Sequence, residues 1–298
     1  MDITGFSDVL DGAGIGARRV RPTAGLSGLA VDRDGTLLAL SDRSVLFGLD
    51  PRTREPTAAV DLADEAGDPL DAEALAVDGD GTRLVASGTE PAVRRFAGGR
   101  VVERLDVPPG LARRDGTLDG VAVLGPQVIG AMAGLLVGDD PGLRRFPTWI
   151  GSAPGPQYAY RPEAGLDVAD LAATGDGRLL VVERTHTPGV GDTAHLALAD
   201  PHGAADVTAV PALGADGGPA PVARTPLADL AACPSLGATA QQPQTNPLLG
   251  DVEGMTVLGR DPDGALRVLL VTDDDTDDDR DAARTTRLID LRVHLPSA

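Results

Sequence analysis

The stretch GLSGLAVDRDGTLLALSD, from Gly25 to Asp42, is an apolar strand, an Asp-Gly turn and a second apolar strand that ends on polar residues. The same phrase returns four times. It reads DAEALAVDGDGTRLVASGTE from Asp71, TLDGVAVLGPQVIGAM from Thr117, GLDVADLAATGDGRLLVVER from Gly165 and DVEGMTVLGRDPDGALRVLLVTDDD from Asp251. A repeat at this period marks a ring of four-stranded units. The position of Ser27 recurs as Glu73, Asp119, Ala169 and Glu253. The first four copies are evenly spaced, and the last follows a much longer gap. The expected fold is therefore all-β: one β-propeller domain over residues 1–298, with four-stranded antiparallel blades. Five blades are favoured, with six as the alternative if the long gap holds an extra one.

Blade one can be drawn in full, with strands Ser27–Asp32, Thr36–Ser41, Val45–Asp50 and Thr57–Leu62. Blade two follows from Glu73 to Val107. Blade three runs from Asp119 to about Arg161, with a Pro-rich loop expected around Trp149–Gln157. Blade four starts near Asp167 and continues through Ala194–Ala199 and Val222–Leu230. The stretches around Thr187–Pro221 and Ala232–Gly250 read mainly as loops, the second a candidate cover for the channel. Blade five spans Glu253–Leu295, and Ile3–Val9 is expected to pair with it and close the ring, which removes exposed sheet edges.

Composition narrows the function. The formal net charge is −19, from 45 acids against 26 basic residues, every one of them Arg. That balance argues against nucleic acid, which demands a positive face. No apolar run is long enough to span a membrane. With one cysteine, Cys233, no internal disulfide and no cysteine-based zinc site can form. Aromatic residues make up 2% of the chain, which counts against sugar stacking and an aromatic binding rim. The expected partner is a small-molecule substrate, and the expected state a monomer. The opening Met-Asp-Ile-Thr-Gly-Phe lacks an apolar leader. It reads as cytoplasmic if Met1 is the native start, and as secreted if a signal peptide has been removed.

Hairpin connectivity locates a site. The innermost strand of a blade lines the channel, and the next strand returns, so the start of the first and the end of the second share one mouth. Strand starts bring Ser27, Asp71, Glu73, Asp119, Asp167, Asp251 and Glu253 there. Strand ends bring Asp42, Arg43, Glu90, Glu183, Arg184, Asp273, Asp274 and Asp275. The opposite mouth receives the Asp-Gly turns at Asp34, Asp80, Asp176 and Asp263, where Asp suits a tight hairpin. Converging carboxylates raise one another's pKa unless a counter-charge joins them. An all-oxygen donor set answers to Ca²⁺, with Mg²⁺ as the alternative, rather than zinc. The candidate ligands are Glu73, Asp119, Glu183, Glu253, Asp273 and Asp274. Arg43, Asp42, Glu90 and Arg94 are candidates for substrate binding, and Glu73, Glu183, Arg184 and His186 for catalysis, with His186 as a general base. Acids at one repeated position also cap backbone amides, and Asp71, Asp167 and Asp251 are expected to hold most of that role. Asp275-x-Asp277-x-Asp279 begins like a calcium loop, but Arg280 and Thr286 stand where an EF-hand has Gly and Glu. His195, His202 and His294 join no constellation, and no GxSxG is present.

The ordered set GLSGLAVD, LLALSDR (Leu37–Arg43), DAEALAV, LLVVER (Leu179–Arg184), DVEGMTV, LLVTDDD (Leu269–Asp275) and RLIDLRV resembles the phytase-like family, described as having esterase-like activity. The resemblance implies a propeller with an acidic mouth, Ca²⁺ dependence and hydrolase activity. By position it supports Asp42, Arg43, Glu73, Glu90, Glu183, Arg184, Glu253, Asp273 and Asp274. The chain departs from the family pattern at Asp251 and Asp275, where Asn is usual, and at Ala131–Ala133, which lacks a Glu. Its few basic residues at the mouth argue against a hexakisphosphate substrate. The implied activity is metal-dependent cleavage of an ester or phosphoester. The alternatives are a lactonase, cyclase or lyase acting on a small metabolite, or a non-catalytic binding propeller.

Overall fold

A computed structural model describes residues 1–16, 20–108, 113–114, 117–214, 218–274 and 284–297. Five four-stranded antiparallel sheets form the ring. Blade one is Leu26–Val31, Leu37–Ser41, Val45–Leu49 and Pro56–Asp61. Blade two is Ala72–Val77, Arg83–Ser87, Ala92–Ala97 and Arg100–Asp106. Blade three is Leu118–Leu124, Gln127–Met132, Arg144–Ile150 and Ala153–Tyr160. The Pro-rich stretch around Trp149–Gln157 is thus a hairpin rather than a loop, because Trp149 and Ile150 pair across to Pro154 and Ala153. Blade four is Asp167–Ala173, Leu179–Thr187, Gly191–Asp200 and Ala223–Asp229. The long gap holds no sixth blade. It is filled by connections after Asp200 and by the segment from the short helical turn Leu230–Ala232 to Gly250.

Blade five takes three strands from the C-terminal part, Asp251–Arg260, Leu266–Asp273 and Arg287–Val293, and its outer strand, Asp2–Ser7, from the N-terminus. The two ends of the chain thereby share one sheet and fasten the ring. Each interface between neighbouring blades has its own apolar cluster, seen in Phe96 with Leu38, Trp149 with Val93, Phe146 with Leu171, Leu270 with Val182, and Phe47 with Leu269. The few aromatic rings lie in these interfaces, and Trp149 Nε1 also donates to Asp106 O at 2.8 Å across blades two and three.

One irregularity positions the site. Every inner strand slips register near its start, between Leu26 and Gly28, Ala72 and Ala74, Leu118 and Gly120, Val168 and Asp170, and Val252 and Gly254, and blade five slips again between Val257 and Gly259. The residue passed over near the start is Ser27, Glu73, Asp119, Ala169 or Glu253, the same position that the repeat singles out. A bulge re-aims the side chain of its extra residue and sharpens the local twist. Next to it the inner strands come close. A Cβ on Gly254 would lie 2.8 Å from Gly28 Cα, so this waist takes small residues.

Candidate functional site

Blade four breaks that small-residue rule with Asp170, which is fully buried. Its carboxylate accepts from Leu171 N at 2.7 Å and from Met255 N at 2.8 Å, joining inner strands of adjacent blades. Burial pushes its pKa well up, and the backbone donors pull against that.

Above this waist stand the bulged acids. Burial, then the charges of Asp119, Asp71 and Glu253, push the Glu73 carboxyl up to about 9. Asp119 is raised well above the carboxylate range by burial and by Glu253, while Arg184 pulls it down. Its Oδ1 is buried without a hydrogen-bond partner among the described residues. Glu253 is pushed up to about 7 by burial, with Arg184 opposing and Asp251 and Asp42 adding to the rise. Glu73 thus feels Asp119 and Glu253, Asp119 feels Glu253, and Glu253 feels Asp42.

Two guanidinium groups enter the same space. Arg184 pairs with Asp251 and donates to Glu253 Oε1 at 2.6 Å. Arg284 donates to Asp251 Oδ2 at 3.0 Å. Asp251 is thus an ion-pair partner, not the backbone cap expected of it. Asp71 and Asp167 do cap, Asp71 accepting from Thr89 N at 3.0 Å and Asp167 from Gly134 N at 3.0 Å. Asp274 Oδ1 accepts from Gly25 N at 2.8 Å, while Asp273 is buried at the end of its strand, in register with Asp251. The rest of the acidic run, Asp275 to Asp281, lies outside the described residues.

Several expected site residues are placed elsewhere. Glu183 points to the other face of its strand from Arg184, since neighbours on a strand alternate. It is fully buried and accepts from Tyr160 Oη at 2.5 Å, Glu163 N at 3.1 Å and Arg224 Nε at 2.8 Å. This saturated pair between blades three and four corrects its assignment as ligand and catalyst. Arg94 and Glu90 are corrected as well. Arg94 is buried in blade two, donating to Ser87 Oγ at 2.6 Å and Glu65 Oε2 at 3.2 Å, and exposed Glu90 meets Arg94 and Arg104 there. Arg43 sits at the rim, half-exposed, with Nε 3.8 Å from Asp42 Oδ1. His186 is at the mouth end of the strand that carries Arg184, with Nδ1 2.8 Å from Asp192 Oδ1. Sequence reasoning missed Arg284 and Asp192, because neither lies in a repeated phrase. It also missed that His195 sits between Glu163, at 3.0 Å, and Asp229, at 3.5 Å, on the outer side of blade four. The Asp-Gly turns behave as expected: Asp34 and Asp80 accept from Thr36 N and Thr82 N, at 2.9 and 2.8 Å.

The donor chemistry of the mouth suits a hard divalent cation, being all oxygen, and the orphaned Asp119 Oδ1 fits the same reading. Among the described residues, no three His, Cys, Asp or Glu side chains gather at metal-holding spacing, so the acids stand around the opening rather than around one point.

A propeller with a bulged acid at the mouth in three of its blades defines the class, and sequence comparison then names the family. The phytase-like family, described as esterase-like activity of phytase, matches residues 21–276, and the chain belongs to it. No protein of curated function matches the chain in sequence. Among solved structures, the glutaminyl cyclase of Myxococcus xanthus is 14% identical with a TM-score of 0.48, covering 92% of each chain. A gluconolactonase of Xanthomonas campestris is 14% identical with a TM-score of 0.45, covering 95% of this chain and 88% of its own. A streptogramin B lyase is 11% identical with a TM-score of 0.40, covering 91% of this chain and 66% of its own.

Proposed function

We propose that this protein is a metal-dependent hydrolase that cleaves an ester or phosphoester of a small molecule at the acidic mouth. The observation that carries the reading is the set of bulged acids Glu73, Asp119 and Glu253 at one position of three blades, each raised in pKa by burial and by neighbouring carboxylates. Such a set is stable with charge on all its members only beside a positive guest. Ca²⁺, or Mg²⁺ in its place, would be the guest of the opening that Glu73, Asp119 and Glu253 surround, with Asp273 and Asp274 at the border. When bound, the cation supplies Lewis-acid polarisation of an ester or phosphoryl oxygen.

The protein's own groups divide the remaining work. Arg184 and Arg284 offset the carboxylates of Asp251 and Glu253, so the side of blades four and five is the less negative one and would receive the anionic part of a substrate. Arg184 also fixes Glu253 through their hydrogen bond. Arg43, half-exposed at the rim, meets the outer part of the substrate. His186 would take or give a proton at the ring nitrogen that does not meet Asp192.

The test is hydrolysis of chromogenic carboxylic and phosphate esters by the full chain, before and after chelation. Activity that falls on chelation and returns with Ca²⁺ supports the reading. Activity that is indifferent to chelation contradicts metal dependence, and no turnover of either ester class contradicts the hydrolase.

A further inference from the structure

The second and third strands of blade four run past the mouth as a long hairpin. His186 and Asp192 face each other across it in register, and Arg184 and Ala194 do so one step inward. Side chains two apart on a strand share a face, so His186 lies beyond Arg184 on the mouth side. Asp192 is buried, and its carboxylate is held from three directions. Oδ1 meets His186 Nδ1 at 2.8 Å, and Oδ2 accepts from Gln244 Nε2 at 2.7 Å. Arg284 Nη2 is 3.9 Å from Oδ1. The amide of Gln244 closes a second bond, its Oε1 accepting from Asp192 N at 2.7 Å. Gly191 permits this approach. Its φ is +111°, and a Cβ there would lie 2.5 Å from Pro243 O.

We propose that Asp192, clasped by Gln244, is the positioning residue that presents His186 as the proton-transfer group of the mouth. The claim rests on the hydrolase reading above and adds the residues that set the histidine's tautomer. An ionised carboxylate only accepts, so Nδ1 carries the hydrogen and Nε2 keeps its lone pair. Asp192 is buried and the His186 side chain is about one-third exposed, so the imidazole is the member of the pair that solvent reaches. In ester cleavage Nε2 would take the proton of the attacking water as its oxygen bonds the acyl or phosphoryl centre. The same nitrogen would return that proton to the departing alkoxide, so charge balances over the cycle. A hairpin staple would need the His–Asp contact alone. The two-point clasp from Gln244, which reaches in from the loop before blade five, fixes the carboxylate's plane as well.

Long-range ¹H–¹⁵N spectra of the full chain read the tautomer directly. Neutral His186 is expected as the Nδ1–H form in the native protein, and the signal is expected to shift towards Nε2–H in Asp192→Asn. In a Ca²⁺-supplemented ester assay, Asp192→Asn is expected to lower kcat by at least about tenfold with KM little changed. Asp192→Glu should recover part of that loss. Gln244→Leu, outside the ion-pair network, should lower kcat less and serves if Asp192→Asn does not fold. An unchanged tautomer in both variants would overturn the positioning claim, as would loss of kcat with no tautomer change. If the native chain turns over no ester, the hydrolase reading fails and the catalytic half of this proposal with it. The tautomer spectra then still decide whether Asp192 positions His186.

Discussion

Arg184 donates to Glu253 at 2.6 Å, which ties the second strand of blade four to the bulged residue of blade five. Arg284 reaches the same cluster through Asp251. Among the described residues, no Arg forms an ion pair with Glu73 or Asp119. The mouth is therefore polar across its width, with compensated acids on the side of blades four and five and uncompensated ones on the side of blades two and three. A cation is drawn to the second side.

Arg184→Ala leaves Asp251 and Glu253 short of a counter-charge in a largely buried place. Removing one partner of such a pair costs about 3 kcal/mol. Urea denaturation is expected to show a loss of that order. Arg184→Lys should recover only part, because an ammonium cannot fork to two carboxylates.

Glu183→Gln tests the assignment of Glu183 to the interface of blades three and four. Tyr160 and Arg224 lose their charged acceptor, so stability should fall by about 2–3 kcal/mol. Cation affinity should stay within about twofold, since the residue faces away from the mouth. A large loss of affinity in a folded variant would return Glu183 to the site.

The cation-free protein should lose stability as pH rises. Glu73, pushed up to about 9, and Glu253, pushed up to about 7, hold protons in the folded chain that the unfolded chain has released. Over that window the folded state binds more protons, so stability falls with increasing pH. Melting curves under chelation are expected to move down between about pH 5 and about pH 9. Added Ca²⁺ should flatten the trend. A cation-free protein that gains stability over the same range would contradict it.

Asp170→Ala should leave the amides of Leu171 and Met255 buried without their acceptor. Each such group costs about 1–3 kcal/mol. A loss of about 3 kcal/mol is expected by chemical denaturation, whereas a neutral result would show that the waist accepts the small residue found there in blades one, two, three and five.

The ring was legible because its signals are local. Paired apolar strands, Asp-Gly turns and the recurrence of Ser27, Glu73, Asp119, Ala169 and Glu253 each lie within one hairpin. The bulge explains why that recurrence marked a site, since the repeated residue is the one each inner strand passes over. Glu183 was misread because the end of a strand puts adjacent residues on opposite faces, and the repeat alone did not say whether Glu183 or Arg184 faced inward. Asp192, Gln244 and Arg284 were not legible, because they meet from unrepeated segments whose contacts form only when the ring closes. Trp149–Gln157 was taken for a loop on its prolines, yet Pro154 and Pro156 sit in an outer strand, where a missing donor is tolerated.

Calorimetric titration of the metal-free chain with Ca²⁺ tests the central claim most directly, which is that the bulged acids gather at one opening to take a positive guest. The account predicts a single saturable site, with proton release near neutral pH and affinity at least about tenfold weaker in Glu73→Gln and in Asp119→Asn. Absence of heat with Ca²⁺ and with Mg²⁺, or native affinity in both variants, would contradict it.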